Sequence, residues 1–279
     1  MKTHTPISFC IVTYNQPDVL ETVFESLLFQ TNKNFELIVA DDGSKNETKE
    51  IIEHFKARAP FVVKHVWHED IGYRRAAILN KAFKEAEGEC LIVMDGDCVA
   101  HPRFVEDHYQ TYLENKGHDY VLMGRRVELG EKITPKINKS SVYEILLKPW
   151  SVELFKSCYF DRDSRGFFRS FSIKNQVLRF LMKADSIVDI MGCNFSLPTS
   201  TMIKINGFNE SFTRYFGEDS DVFVRLRNIG CRIIGKKYFA TQFHLYHNRR
   251  PFTKEDENKY FELLKDLNYK RCENGIAKF

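Results

Sequence analysis

The segment CLIVMDGD, residues 90–97, joins an apolar run of strand length to a pair of carboxylates. A second apolar run, at 35–40, ends in a similar way in the acidic turn DDGS at 41–44. In a parallel α/β sheet the ligand crevice lies outside the carboxyl ends of the strands. Two acidic turns at equivalent strand ends therefore predict a ligand site at one edge of such a sheet. A pair of ordinary solvated turns is the alternative.

The first half of the chain alternates between strand-length apolar runs and segments with apolar residues at helical spacing. The predicted strands are 8–13, 35–40, 61–66, 90–94 and 120–123. The predicted helices are 17–28, 44–57, 74–86 and 102–115, the second of them opened by a capping box of Ser44 and Glu47. This alternation predicts the α/β class, with a mostly parallel central sheet and helices on both faces.

The second half contains a segment of different composition, at 137–185, that is rich in aromatic residues. We expect it to be a helical, aromatic and basic insertion within a single domain. Its stretch 162–183 has six basic residues and one acidic residue. We interpret this stretch either as a packed insertion with a solvated basic face, or as an acceptor site or membrane-surface contact. Elsewhere in this half, the predicted strands are 188–197, 232–235 and 239–246, and the predicted helices are 218–228 and 254–270.

The composition is that of a folded globular protein. Of the 279 residues, 43% are hydrophobic and 28% are charged. The net charge of +3 is too small to indicate nucleic-acid binding, so we expect no nucleic-acid partner. No apolar run approaches the roughly 18 residues that a membrane span needs. Seven widely spaced cysteines without a C-x-x-C pair predict reduced thiols in the cytoplasm, with neither a disulfide framework nor a zinc site.

The acidic turns have the chemistry of a divalent-cation site. A D-x-D pair after a buried strand suits Mg²⁺ or Mn²⁺, which take oxygen ligands and bridge to phosphates. The chain has no P-loop and no G-x-G-x-x-G motif, so the metal would be the main contact for a phosphate-bearing ligand. A third acidic cluster, GEDSD at 217–221, opens a predicted helix. His244 and His247, further along, are either additional metal ligands or ordinary structural residues.

Taken together, and in this order, these motifs resemble those of a family 2 glycosyltransferase with the GT-A (Rossmann-like) fold. The matched elements, which lie between 12 and 247, are VTYN at 12–15, DDGS at 41–44, GYRR at 72–75 with Asn80, DGD at 95–97, Glu218 with Asp219, and His247. The part from 192 to 221 is also similar to the C-terminal part of β-1,4-galactosyltransferases and of chondroitin-polymerase-type enzymes.

The resemblance implies a binding site for a nucleotide sugar in the first half of the chain. Thr13 and Tyr14 would line the base pocket. One of the two carboxylates Asp41 and Asp42 would contact the uracil or the ribose. UDP is the nucleotide that the resemblance favours.

On the other side of the donor, the resemblance implies that Arg75 approaches the nucleotide and that Asn80 supports its loop. Many family members carry an arginine directly before this asparagine, where the present chain has Leu79. Asp95 and Gly96 of the DGD motif would lie against the ribose or the sugar.

The resemblance also implies the catalytic and metal-binding groups. Asp219 would be the catalytic base, and Glu218 would orient the acceptor. Asp97 and His247 would bind Mn²⁺ or Mg²⁺, and His244 stands where the galactosyltransferases use a methionine ligand.

The implied activity is inverting, metal-dependent transfer of a sugar from a nucleotide sugar to a glycan or lipid-linked glycan in surface polysaccharide or lipopolysaccharide synthesis. Residues 1–124 would bind the donor, 125–250 would bind the acceptor and carry the base, and 251–279 would form a C-terminal helix. We expect the protein in the cytoplasm, with 162–183 as a candidate contact to the inner face of the membrane. Two alternatives are a sugar-phosphate nucleotidyltransferase and a non-catalytic nucleotide-sugar-binding or scaffold protein.

Overall fold

A computed structural model describes residues 5–185, 192–215, 217–248, 254, 258, 262 and 265–277. The strands in this part of the chain are β1 (Ile7–Thr13), β2 (Glu36–Asp41), β3 (Val63–Trp67), β4 (Cys90–Asp95), β5 (Cys98–Ala100), β6 (Tyr120–Met123), β7 (Arg125–Glu128), β8 (Asn194–Pro198), β9 (Arg232–Gly235) and β10 (Thr241–His244). The α-helices are α1 (Pro17–Leu28), α2 (Asn46–Lys56), α3 (Arg75–Lys84), α4 (Phe104–Glu114), α5 (Val152–Tyr159), α6 (Gln176–Leu181), α7 (Thr199–Lys204) and α8 (Glu218–Asn228).

Seven strands form the central sheet, in the order β3-β2-β1-β4-β8-β6-β9. Every pairing is parallel except that of β8, which runs antiparallel to β4 and to β6. All seven residues of β1 are buried, as expected for a strand covered on both faces. The predicted α/β class with a mostly parallel sheet is confirmed.

Helices cover the two faces of the sheet with separate apolar cores. On one face, α1, α2 and α4 bury residues such as Phe24, Phe55 and Phe104. On the other face, α3, α7 and α8 bury residues such as Leu79 and Leu226. The proline that opens α1 fits the first helical turn, where its missing N–H costs no hydrogen bond.

A second, three-stranded sheet in the order β5-β10-β7 lies beside the carboxyl end of β4. In it β10 pairs antiparallel with β5 and parallel with β7. The sequence predicted β10 as 239–246, longer than it is, and did not predict β5 and β7, which have only three and four residues. This small sheet brings the end of the DGD motif next to His244, the last residue of β10, and to His247 just after it.

The aromatic insertion is helical, as predicted, and is attached to the small sheet. It contains a π-helical turn at Tyr143–Leu147, then α5, a 3-10 turn at Phe167–Ser170, and α6. The backbones of Arg165 and Glu128 pair as an antiparallel bridge, which fastens the insertion to β7. Phe167 and Leu154 are buried and belong to the same apolar core as Phe24, Phe55 and Phe104, so the insertion packs onto the face of the sheet covered by α1, α2 and α4.

Several predicted boundaries are corrected. Ser44 does not cap α2, which begins at Asn46; its hydroxyl instead accepts a hydrogen bond from the backbone N–H of Asn15. The strand predicted at 188–197 begins at Asn194, and residues 188–191 lie outside the described part. The helix predicted at 254–270 also lies mostly outside it, and residues 266–270 form a turn and coil.

Two further properties of the structure concern membrane spans and cysteines. No helix in the described residues is long and apolar enough to cross a membrane. All seven cysteines are free thiols, and six of them are buried.

Candidate active site

A cavity of about 470 Å³ opens at the carboxyl ends of β1 and β4, between the start of α8 and the small sheet. This is the position that parallel α/β topology predicts for a ligand site. Most of the residues predicted for the site line it, together with several that were not predicted. The lining residues are Val12, Thr13, Tyr14, Gln16, Asp42, Gly72, Tyr73, Arg75, Asp95, Gly96, Asp97, Arg126, Tyr215, Glu218, Asp219, His244, His247 and Asn248.

Asp42 is the acidic residue of the DDGS turn that faces the cavity. Its carboxylate accepts hydrogen bonds from the His68 imidazole at 2.7 Å and from the Arg74 backbone N–H at 3.0 Å. Burial raises the pKa of Asp42, although these two bonds oppose the rise. Asp41 does not line the cavity; it is fully buried, accepts from the Ser44 backbone N–H and lies 2.9 Å from His65. The sequence did not decide which of Asp41 and Asp42 would contact a ligand. In the structure, Asp42 is the one whose carboxylate faces the cavity.

The loop after β3 closes the same side of the cavity. The hydroxyl of Tyr14 donates to Asp70 at 2.9 Å, and Asp70 also accepts from the Gly72 backbone N–H. Gly43 has a φ of +92°, and a Cβ there would lie 2.7 Å from the Asp70 Cα atom. Only glycine allows this close approach. His68 and Asp70 were not predicted as site residues, because the sequence showed no motif there.

Arg75 lies between two carboxylates of the site. Its guanidinium donates to Asp95 at 2.8 Å and to Asp219 at 2.8 Å, and Glu218 lies 3.8 Å away. Arg75 is buried, which favours the neutral form, but the surrounding carboxylates outweigh burial and raise the pKa of Arg75 above its ordinary value. The arginine therefore remains a fixed positive charge.

Asp219 has a carboxyl group whose pKa lies well above its ordinary value. Burial raises the pKa of Asp219 to about 7, helped by the negative charges of Glu218 and Asp95 and opposed by Arg75. Gly192 packs directly against this carboxylate, since a Cβ on Gly192 would lie 1.8 Å from Asp219 Oδ2. A carboxyl group with a pKa near neutrality, facing a cavity, has the properties of a general base.

Glu218 is buried beside Asp219 at the first turn of α8. It accepts a hydrogen bond from the hydroxyl of Tyr73, whose ring lies edge-on to that of Tyr215. The sequence singled out neither tyrosine. Tyr73 is the second residue of the GYRR motif, so the motif contained a site residue whose role was not recognised.

Asn80 is not brought to the cavity. Its side chain is buried, donates to the Phe208 carbonyl and to Glu210, and accepts from the Phe208 backbone N–H. Asn80 thus ties α3 to the segment that precedes α8. Leu79 beside it is part of the apolar core, which excludes a phosphate contact at that position.

Asp97, His244 and His247 form a group suited to a metal ion. One ligand atom from each lies within 4.8 Å of the others, and the Asp97 carboxylate is 3.2 Å from His247 and 3.8 Å from His244. The hydrogen bond to Asp97 raises the pKa of His247, whereas burial lowers the pKa of His244. Burial favours protonated Asp97, but the two histidines outweigh it and lower its pKa. One carboxylate and two imidazoles fit a divalent cation.

β7 contributes one further residue. Arg126 lines the cavity, donates to Glu128 at 2.6 Å and lies 3.5 Å from the Cys193 sulfur. The prediction lacked Arg126 because it lacked β7. The site therefore contains a second fixed positive charge on the side of the metal-binding group.

With this geometry established, the comparisons with known proteins define the class. Residues 8–196 match the family described as glycosyl transferase family 2. A second match, to the family described as the N-terminal domain of galactosyltransferase, covers residues 175–248. The first match covers more than half of the chain, and the chain belongs to glycosyl transferase family 2. It is a glycosyltransferase with the GT-A fold.

Individual relatives agree with this class. The chain is 26% identical to the chondroitin synthase of Escherichia coli. The match covers 90% of this chain and 36% of the chondroitin synthase. S. aureus TarS (residues 1–349) in complex with UDP-GlcNAc is similar with a TM-score of 0.61 and 17% identity, over 92% of this chain and 65% of that one. The mannosyltransferase PcManGT from Pyrobaculum calidifontis, in complex with GDP-Man and Mn²⁺, is similar with a TM-score of 0.57 and 15% identity. The match covers 89% of this chain and 59% of that one. The chain spans about a third of the chondroitin synthase.

Proposed function

We propose that the chain transfers a sugar, with inversion, from a UDP-sugar to a glycan acceptor in a reaction that depends on a divalent cation. The observation that carries this proposal is the placement of Asp219 and of the group Asp97, His244 and His247 on one cavity. A base and a metal-binding group that face the same 470 Å³ space suit a displacement in which a hydroxyl attacks and a diphosphate leaves.

Asp97, His244 and His247 are the residues that would hold the cation, either Mn²⁺ or Mg²⁺. When bound, the ion would supply positive charge to the diphosphate leaving group. The structure of the similar mannosyltransferase was determined with Mn²⁺, which supports the assignment. Arg126, on the same side of the cavity, adds a fixed positive charge near the leaving group.

Asp219 is the proposed base. The acceptor hydroxyl must lose its proton as it attacks, and Asp219 can accept that proton because its pKa is about 7. Glu218 is the proposed acceptor-orienting residue, held in place by the hydroxyl of Tyr73. A single base with one in-line displacement inverts the anomeric centre, so an α-linked donor would yield a β-glycoside.

The donor would lie against the carboxyl end of β1. Thr13, Tyr14 and Asp42 line that side, and Asp42 offers a carboxylate to the ribose or the uracil. Asp95 and Gly96 would lie against the ribose or the sugar. The TarS complexes with UDP and UDP-GlcNAc support a uridine nucleotide.

The acceptor side is proposed from the second half of the chain. Residues 1–124 would bind the donor, and 125–250 would bind the acceptor and carry the base. The acceptor would be a glycan, free or lipid-linked, in the synthesis of surface polysaccharide or lipopolysaccharide on the cytoplasmic side of the membrane.

The test is a donor panel. The purified protein is incubated with UDP-, GDP-, dTDP- and CMP-sugars in Mn²⁺, Mg²⁺ or EDTA, and nucleotide release and thermal stability are both measured. We expect release or stabilisation with one UDP-sugar that disappears in EDTA. Release that persists in EDTA would contradict the metal assignment, and pyrophosphate formation from a nucleoside triphosphate would indicate a nucleotidyltransferase instead. If no donor causes nucleotide release and none raises the melting temperature, a scaffold protein would be favoured.

A further inference from the structure

The two carboxylate oxygens of Asp97 have different surroundings. The Oδ2 atom lies 3.2 Å from His247 Nε2 and 3.8 Å from His244 Nε2, within the metal-binding group. The Oδ1 atom accepts a hydrogen bond from the thiol of Cys98, whose sulfur is 3.4 Å away. The terminal torsion of an aspartate has only a broad, two-fold preference, so by itself it would not fix this orientation. The contact from Cys98 to Oδ1 therefore helps to keep Oδ2 toward the histidines.

The sulfur of Cys98 is in turn held by Gln242. The side-chain amide of Gln242 donates to Cys98 Sγ at 3.1 Å and to Cys193 Sγ at 3.3 Å. Cys98 and Gln242 are fully buried, so water does not compete for these contacts. A thiol has one proton to donate, and its sulfur can also accept. The two bonds are therefore compatible: the amide N–H points to the sulfur, and the thiol proton points to Asp97.

The backbone of the small sheet fixes where these side chains begin. Cys98 is the first residue of β5 and lies directly opposite His244 in the antiparallel pair of β5 and β10. Gln242, two residues earlier on β10, is on the middle strand and pairs with both β5 and β7. Asp97, by contrast, lies in the two-residue turn between β4 and β5. The contacts thus connect a turn residue to the paired strands beside it.

The two histidines of the group are oriented in a similar way, each through its other ring nitrogen. His247 Nδ1 lies 3.0 Å from the backbone carbonyl of Asn248, which can only accept, so the neutral imidazole leaves Nε2 free to bind an ion. His244 Nδ1 faces the Glu128 carboxylate at 3.6 Å. Imidazoles that bind metals usually have such an acceptor at the second nitrogen. Cys98 provides the corresponding support for the carboxylate of the group.

We propose that Cys98 is a positioning residue of the metal-binding group, which holds Asp97 with Oδ2 toward the cation, and that Gln242 acts through Cys98. The inference rests on the proposed function, because it concerns the ion expected at Asp97 and the two histidines. Cys98 is not assigned as a ligand, since Mn²⁺ and Mg²⁺ favour oxygen over sulfur.

Titration of the full chain with Mn²⁺ under reducing conditions tests the proposal, with free Mn²⁺ measured by electron paramagnetic resonance. Cys98→Ala should raise the Kd for Mn²⁺ about tenfold, the lower end of the usual effect of losing such a contact. Cys98→Ser keeps a hydrogen-bond donor of similar size and should recover most of the affinity. Cys10→Ala, which removes a fully buried thiol from β1, is the matched control and should leave the Kd unchanged.

Two further measurements locate the effect. Gln242→Met should raise the Kd less than Cys98→Ala does, and the double variant should bind Mn²⁺ as Cys98→Ala does, because Gln242 acts through Cys98. In EDTA, the melting temperature of Cys98→Ala should fall no further than that of Cys10→Ala. The rise in Kd would then reflect the position of Asp97 and not a weakened fold.

Asp97→Asn distinguishes failure of this inference from failure of the proposed metal site. If the unmodified chain binds no Mn²⁺, or if Asp97→Asn binds it normally, the metal-binding group itself is wrong. If Asp97→Asn loses Mn²⁺ while Cys98→Ala keeps the Kd of the unmodified chain, only the role of Cys98 is overturned. Equal losses in Cys98→Ala and Cys98→Ser would also overturn that role, and additive losses in the double variant would overturn the part of Gln242.

Discussion

Arg75 donates a hydrogen bond of 2.8 Å to Asp219, a residue 144 positions later in the chain. The bond joins the first residue of α3 to the second residue of α8. It places a permanent positive charge against the carboxylate with the highest tendency to protonate in the site. The ionisation of Asp219 therefore depends on Arg75.

Asp219→Asn should abolish transfer while preserving the fold. The amide cannot accept the acceptor proton, so we expect kcat to fall by about 10²–10⁴, the usual contribution of a general base. Donor affinity, measured by calorimetry or by thermal shift, should stay near that of the unmodified chain. Asp161→Asn, at an exposed carboxylate in the insertion, is the matched control. Near-normal turnover in Asp219→Asn would show that another group is the base.

The pH dependence of the reaction should report Asp219. A base acts in its ionised form, and burial raises the pKa of Asp219 to about 7. Activity should therefore be low in acid and rise through about pH 7 as the proton is lost. The measurement is kcat/KM against pH at constant metal concentration. A profile that is flat between about pH 6 and 8 would exclude a base with this pKa.

Arg75→Gln should move the same profile to higher pH. Without the positive charge, the pKa of Asp219 should rise further, by about one unit or more. Loss of the guanidinium also leaves the carboxylates of Asp95 and Asp219 without their partner, which should lower the free energy of unfolding. Arg75→Lys keeps the charge and should move the profile less, although it loses the two-pronged contact. A profile unchanged in Arg75→Gln would show that the pair does not control the base.

The metal-binding group can be tested without an acceptor. Mn²⁺ should raise the melting temperature of the unmodified chain, since an ion that binds the folded state stabilises it. Asp97→Asn and His247→Gln should each remove most of this rise, whereas His118→Gln, at an exposed histidine, should retain it. An equal Mn²⁺ effect in all three variants would place the ion elsewhere.

Asn80→Ala separates a structural role from donor binding. The change removes three hydrogen bonds to the segment before α8 and leaves buried backbone groups unpaired. We expect the free energy of unfolding to fall by about 3 kcal/mol, with little change in the KM for the donor. A raised KM for the donor with an unchanged free energy of unfolding would show that Asn80 contributes to donor binding.

The central sheet was predictable because most of its strands are apolar runs, separated by segments whose apolar residues recur at helical spacing. For β1, β2 and β6 the predicted bounds fall within one residue of the observed ones. The small sheet was not predictable in the same way. β5 and β7 are too short to show a period, and they are held by their pairing with β10 rather than by local pattern. Ser44 carried the signal of a helix cap, but its hydroxyl is taken by Asn15.

The site was predictable where a motif carries its chemistry. The DGD carboxylates, Asp219 and the two histidines all line the predicted cavity. Tyr73 and Arg126, which line the cavity, and His68, which contacts Asp42 of the cavity wall, were missed, because tertiary contacts that leave no spacing in the sequence bring them there. Arg75 was predicted to face a nucleotide, and its pairing with Asp95 and Asp219 became visible only in three dimensions.

The distance along the chain between partners of the site has a consequence for biosynthesis. β1, β2, β3 and β4 all lie within the first hundred residues, so they are synthesised long before the later partners of the site. The proposed metal-binding group, however, includes His244 and His247 as well as Asp97. A nascent chain can thus contain four of the seven strands of the central sheet while it still lacks two of the three proposed ion ligands. Ion binding would accordingly report that translation has passed His247 and that the long-range contacts have closed.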